Sequence, residues 1–148
     1  MKFQYAFQQI VNLKNNERSQ AEWNLSTAIG NLNHEESSLQ ELIRLKNEAQ
    51  EKMLETSMRP VSMLEIRQLQ SYVDHIEHLI ARKRHDVSKA QRHVNHNRDL
   101  LNDKMVDEKV WTKARDKALE QFTGFVLKKE QEALDEIASN RHIRLSYQ

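Results

Sequence analysis

The chain has 148 residues, 23 Lys and Arg against 22 Asp and Glu, no cysteine, one proline and two glycines. This composition excludes disulfide frameworks and thiolate sites, supplies almost none of the residues that hairpins and bulges need, and gives no global charge to draw the molecule onto nucleic acid or anionic lipid. With 38% hydrophobic and 30% charged residues, the apolar side chains suit a narrow seam between long helices better than a wide core, so the expected fold class is all-α. The N-terminus lacks an apolar core of signal-peptide length, and no run of apolar residues is long enough to span a bilayer. A cytoplasmic or peripheral protein is expected.

In chain order, Phe3, Phe7, Ile10, Lys14, Glu17 and Ala21 recur at alternating steps of four and three. Leu25, Ala28, Leu32, Glu35, Leu39, Leu42, Lys46, Ala49 and Met53 resume the pattern. The spacing predicts a helix over 3–56 with one face turned to a partner helix. Between Lys14 and Leu25 the steps are three, four and four, which locally relaxes a left-handed supercoil. Lys14 and Glu17 make the seam polar there, as a solvated spot or as a point where the ends splay. A turn is expected at 57–62. Pro60 disfavours helical geometry at Arg59, and Ser62 with Glu65 has capping-box spacing for a new helix.

The second predicted helix covers 63–140, with 141–148 as a frayed tail. From Ile66 to Phe125 it sustains a seven-residue repeat that contains no proline. A connection this short folds the two helices back antiparallel, so 1–148 is expected to be a single coiled-coil hairpin whose second helix is longer and overhangs. Counting back from the turn places Phe7 near Trp111 and Phe3 near Arg115. The overhang then carries Ala118, Phe122, Phe125, Ala133 and Ile137 without an intramolecular partner, which invites another protein to cover them. Within the seam, Asn97, Lys104 and Glu108 are expected to fix register at some expense of stability.

Beside the seam, Leu45, Tyr72 and Leu79 collect at positions where charges normally sit, either as a docking surface or as a widened seam. Catalytic chemistry is not indicated. Gly30 and Gly124 are isolated, so there is no phosphate-cradling loop and no cofactor is expected. His75 with His78, and His93 with His96, could share a helix face, but the ligand set is incomplete and no metal is expected. The run from Arg82 to Arg98 is the only basic concentration. It lacks the interleaved aromatics of a single-strand binder, so a solvated face or a contact for an acidic protein is favoured over a basic helical nucleic-acid binder. A generic coiled-coil spacer or homo-oligomerisation module would account for the periodicity equally well.

The opening Phe3, Phe7-Gln8, Ile10, Leu13-Lys14 and Glu17, the restart Ser62-Met63-Leu64-Glu65-Ile66 leading to Gln70-Ser71-Tyr72-Val73, and the closing Leu134-Asp135-Glu136-Ile137-Ala138 resemble the FliJ family. This is the small coiled-coil component of the bacterial flagellar type III export apparatus, related to the stalk components of injectisomes. The resemblance implies a non-enzymatic stalk bound in the hexameric export ATPase (FliI), promoting its assembly and activity. It also implies contacts with the cytoplasmic domain of the export gate FlhA and with export chaperones, at the cytoplasmic face of the inner membrane. Carried onto this sequence, the ATPase-ring contact falls on Phe3, Phe7, Phe122 and Phe125. The export-gate contact falls on Leu42, Leu45, Tyr72, Ile76 and Leu79.

Overall fold

The computed structural model describes residues 2–147. They form two helices, α1 (Gln8–Ser57) and α2 (Met63–Ser146), and no strand. The fold is an all-α antiparallel coiled-coil hairpin, and at 84 residues against 50 the second helix is the longer. Spatially the chain separates into two compact units, one of Gln20–Asn102 and one of Met1–Ser19 with Asp103–Gln148.

The unit of Gln20–Asn102 contains the turn. Ala28, Leu32 and Val94 form its best-buried cluster, with Leu25, Val87 and Ala90 packed against it. Alanine at Ala28 and Ala90 lets the backbones approach closely, and Val94 fills the space between them. Nearer the turn, Ala49, Val73, Ile76 and Ile80 continue the buried stripe. Lys83 Nζ to Glu35 Oε2 at 3.0 Å and Lys46 Nζ to Glu77 Oε1 at 3.4 Å pair rising positions on α1 with falling positions on α2, as the antiparallel helices of a hairpin must. The seam stops short of the expected Ile66, which is 38% exposed.

The turn is built by side-chain oxygens. Thr56, buried at the end of α1, shares its hydroxyl between the Lys52 and Met53 carbonyls, both at 2.9 Å, and Ser57 Oγ reaches the Leu54 carbonyl. The Ser57 bond serves a carbonyl that the helix end otherwise leaves open, while Thr56 satisfies its buried hydroxyl by back-bonding within its own helix. After Pro60, Ser62 Oγ accepts the Glu65 amide at 3.3 Å, the hydroxyl limb of the capping box that starts α2.

In the other unit, α1 begins at Gln8 rather than Phe3. Residues 2–5 are not helical. The Tyr5 carbonyl accepts the Gln8 amide, and the Phe7 carbonyl accepts the amides of Ile10 and Val11, which closes the first turn. The aromatic residues Phe3, Tyr5 and Phe7 recur every second position, which is the period of extended chain rather than of helix. At the other end α2 continues through Arg141 to Ser146, so the expected frayed tail is helical over most of its length. Its last turn carries Arg144, a favourable charge near open carbonyls.

Replacing Leu32 by Ala should lower unfolding free energy by about 2–4 kcal/mol, since it empties a buried seam position. Leu134→Ala, on a residue 62% exposed, should change it by less than about 0.5 kcal/mol. Urea titrations followed by circular dichroism at 222 nm measure both.

Candidate functional site

The four aromatics expected at an ATPase contact all lie in the unit of Met1–Ser19 and Asp103–Gln148. They do not form a bare prong. Phe3 packs on Phe122 with ring centroids 5.4 Å apart, and Phe7 meets Trp111 edge-on at 6.2 Å. Tyr5 links the two, stacking on Phe3 at 6.5 Å and meeting Phe7 edge-on at 5.8 Å. Phe122 is therefore partnered, contrary to the expectation that α2 is uncovered beyond Arg115. The physical reason is that residues 2–5 lie outside the helix, and non-helical chain can reach farther per residue than a helix. Phe125 is the exception, half exposed with Lys129 Nζ 5.6 Å over its ring.

Arg115 holds this arrangement to α2. Its guanidinium lies 5.9 Å over the Phe3 ring, and its Nε donates to Gln8 Oε1 at 2.8 Å. It thus fixes both the extended segment and the first residue of α1. The expected neighbours Phe7 with Trp111 and Phe3 with Arg115 are in contact. Tyr5 was not anticipated as a member of the cluster, although the Phe-x-Tyr-x-Phe alternation was a readable signal for it.

Polar seam residues in this unit are matched rather than solvated. Lys14 Nζ lies 2.8 Å from Asp107 Oδ2, Glu17 accepts from Lys104 at 3.4 Å, and Arg18 pairs with Glu108. The hydrogen bond to Asp107 is the main cause that raises the Lys14 pKa above the ordinary 10.5, despite some desolvation. A raised lysine pKa means that the pair's contribution is fully present below pH 10.5 and is lost as pH climbs through the folded-state value. Asn97, in the other unit, donates to the His93 carbonyl of its own helix at 2.9 Å. Its amide is satisfied without reaching α1, so it does not supply the register lock expected of it.

The expected export-gate residues all lie in the unit of Gln20–Asn102. Ile76 is buried in the seam, 4% exposed, and its contribution there is structural. Leu42 and Leu79 are half-buried and line one open groove of about 630 Å³ with Ser38, Glu41, Arg82 and Lys83. Leu45 is half-buried, and Tyr72 is 42% exposed. Glu41, on the rim, is held below the usual carboxylate range by its hydrogen bond to Arg44, which also pairs with Glu48. The widened-seam and docking readings therefore divide by residue: Ile76 is sealed in, whereas Leu42, Leu79 and Tyr72 keep surface to offer.

The profile of the flagellar FliJ protein family matches residues 2–146. The chain belongs to the flagellar FliJ family. It is accordingly a coiled-coil component of the type III export machinery and associates with other components of that machinery. Among solved structures, a protein described as a YscO homologue from Chlamydia trachomatis shares the fold, with a TM-score of 0.59 and 13% identity over 95% of this chain and 96% of that one. No curated protein matches the sequence significantly. Among the described residues, no helix of this FliJ-family chain is long and apolar enough to cross a membrane, and no group of three or more His, Cys, Asp or Glu comes together as a metal site.

Two measurements test this description. With Trp23 replaced by Phe, so that Trp111 is the sole indole, Phe7→Ala should shift its emission to the red, and Phe122→Ala should speed amide exchange of residues 5–8 by about tenfold, equivalent to about 1.4 kcal/mol. Second, melting temperature should fall as pH rises above 10.5, and the difference between the native chain and Lys14→Met should shrink over that range.

Proposed function

We propose that this FliJ-family chain is the stalk of the flagellar export apparatus, a non-enzymatic coupling element. One unit engages the hexameric export ATPase FliI and promotes its assembly and activity, and the other engages the cytoplasmic domain of the gate protein FlhA. Export chaperones are further partners. The working location is cytoplasmic, peripheral to the inner membrane at the flagellar base.

The observation that carries this reading is the uncovered end of α2. From Leu127 to Ser146 every residue is exposed, including Leu127, Leu134, Ile137, Ile143 and Leu145 at 50–65%. A helix of this kind is marginal in water by itself and is stabilised when a partner covers it. A ring of ATPase subunits around it would do so. Phe125, half exposed immediately before that segment, is the aromatic best placed to meet the ring, while Phe3, Phe7 and Phe122 shape the base from which the helix emerges.

For the gate, the Leu42 and Leu79 groove with Tyr72 supplies a small apolar patch edged by charge, the composition of a contact that is made and released. Ile76 lies beneath it as support. Tyr72→Ala combined with Leu79→Ala should weaken binding to the FlhA cytoplasmic domain by roughly tenfold or more while leaving helicity unchanged, since neither side chain is sealed in the seam. A pull-down or calorimetric titration showing normal affinity for the double variant would remove the gate assignment. Phe125→Ala with Ile137→Ala should reduce stimulation of ATP turnover by purified FliI; full stimulation would remove the ring assignment.

A further inference from the structure

We infer that the exposed basic series along α2 in the unit of Gln20–Asn102 is a binding surface for an acidic α-helical segment of another protein. His78, Arg82, His85, Lys89, Arg92 and His96 follow one another at steps of four, three, four, three and four. His75 extends the series by three residues upstream. The seam of the same helix runs through Val73, Ile76, Ile80, Val87 and Val94, and the basic series lies about half a turn from it. Every member is exposed. At ~1.5 Å rise per residue the stripe is about 30 Å long.

What sets it apart is that cations without an ion pair fall here in one three-four row. Arg82, Lys89 and Arg92 take part in no ion pair among the described residues, whereas several acids near them have other partners. Asp86 lies 3.9 Å from Lys83, Glu77 pairs with Lys46, and Asp74 accepts from Gln70. On α1, Glu35 is held by Lys83, and Glu41 by Arg44. Like charges three and four residues apart on a helix repel, so Lys89 beside Arg92 is a destabilising arrangement for the isolated chain. An external acid removes that repulsion.

The spacing selects the kind of acid. A three-four series is straight along a coiled coil, because the supercoil cancels the drift of an ideal helix. A second helix carrying Glu or Asp at the same steps presents a straight row with matching intervals, in the manner of the charged edges of paired helices. A bilayer is the poorer match, since no apolar side chain in the stripe can enter the headgroup boundary. Single-stranded nucleic acid is poorer too, because no aromatic platform interrupts the stripe. Arg82 also borders the Leu42 and Leu79 groove, whereas Lys89 and Arg92 lie outside it, so the inference stands on those two residues whether or not the gate contact holds.

The test uses the full chain and a synthetic alanine-based helical peptide with glutamates at alternating three- and four-residue steps. Its control is an isomer of equal composition with glutamates spread around the helix. Anisotropy titrations should show the in-register peptide binding at least about tenfold tighter than the isomer, with affinity falling steeply from about 50 to about 300 mM salt. Arg82→Ala, Lys89→Ala and Arg92→Ala together should abolish that preference. The triple variant keeps its helix, because alanine is the best helix former and all three sites are exposed. Phosphatidylserine vesicles and a single-stranded oligonucleotide are titrated in parallel. Equal binding of the two peptides, tighter binding to either of the other anions, or an unaltered triple variant would each overturn the proposal.

Discussion

Two helices remain side by side only where each offers the other a stripe that gains by leaving water. This chain has few apolar residues for such a stripe, and it spends them unevenly. Between Gln20 and Asn102 the stripe is apolar and close-packed, with Ala28 and Val94 both 1% exposed. In the unit of Met1–Ser19 and Asp103–Gln148 the equivalent positions carry Lys14, Glu17, Lys104 and Glu108, and cross-helix ion pairs take over from burial. Exposed ion pairs contribute little individually. The aromatic cluster of Phe3, Tyr5, Phe7, Trp111 and Phe122 and the buried Val11 supply apolar contact there.

That division gives each unit a different capacity. A seam closed by hydrophobic packing is specific and stiff, and it can carry a modest exposed patch such as Tyr72 with Leu42 and Leu79 without losing its fold. A seam closed by ion pairs and aromatic edges opens more readily, and it leads into a helix with no cover from Leu127 onward. For a component of an export machine both properties are useful: one surface keeps its shape, and another adapts as a partner closes around it. The proposed roles follow that distribution, with the gate on the apolar unit and the ATPase ring on the other.

Arg115 shows how a single polar residue can organise an end. A seam position occupied by arginine would ordinarily weaken the coiled coil. Here its guanidinium covers the Phe3 ring and its Nε holds the Gln8 side chain, so the same residue ends the extended segment and begins α1. The basic stripe on α2 is the converse case, because Arg82, Lys89 and Arg92 take part in no ion pair among the described residues.

The sequence by itself determined the all-α class, the reversal around Pro60, the antiparallel pairing and the family. Heptad spacing depends only on helix geometry, and a chain with a single proline has few places to turn. It also determined that Phe7 meets Trp111, because antiparallel register follows by counting from the turn. Tertiary structure decided which heptad positions close. Ile66 stays exposed beside the turn, Ile76 is sealed while neighbouring Leu79 is left open, and Asn97 satisfies itself within α2. It decided as well that residues 2–5 run outside the helix, with Phe3 on Phe122, and turn into α1 at residues 6–7 rather than lengthening it. Local spacing allows both conformations for that segment, and only the apolar surface of α2, made by residues more than a hundred positions away, favours the non-helical one.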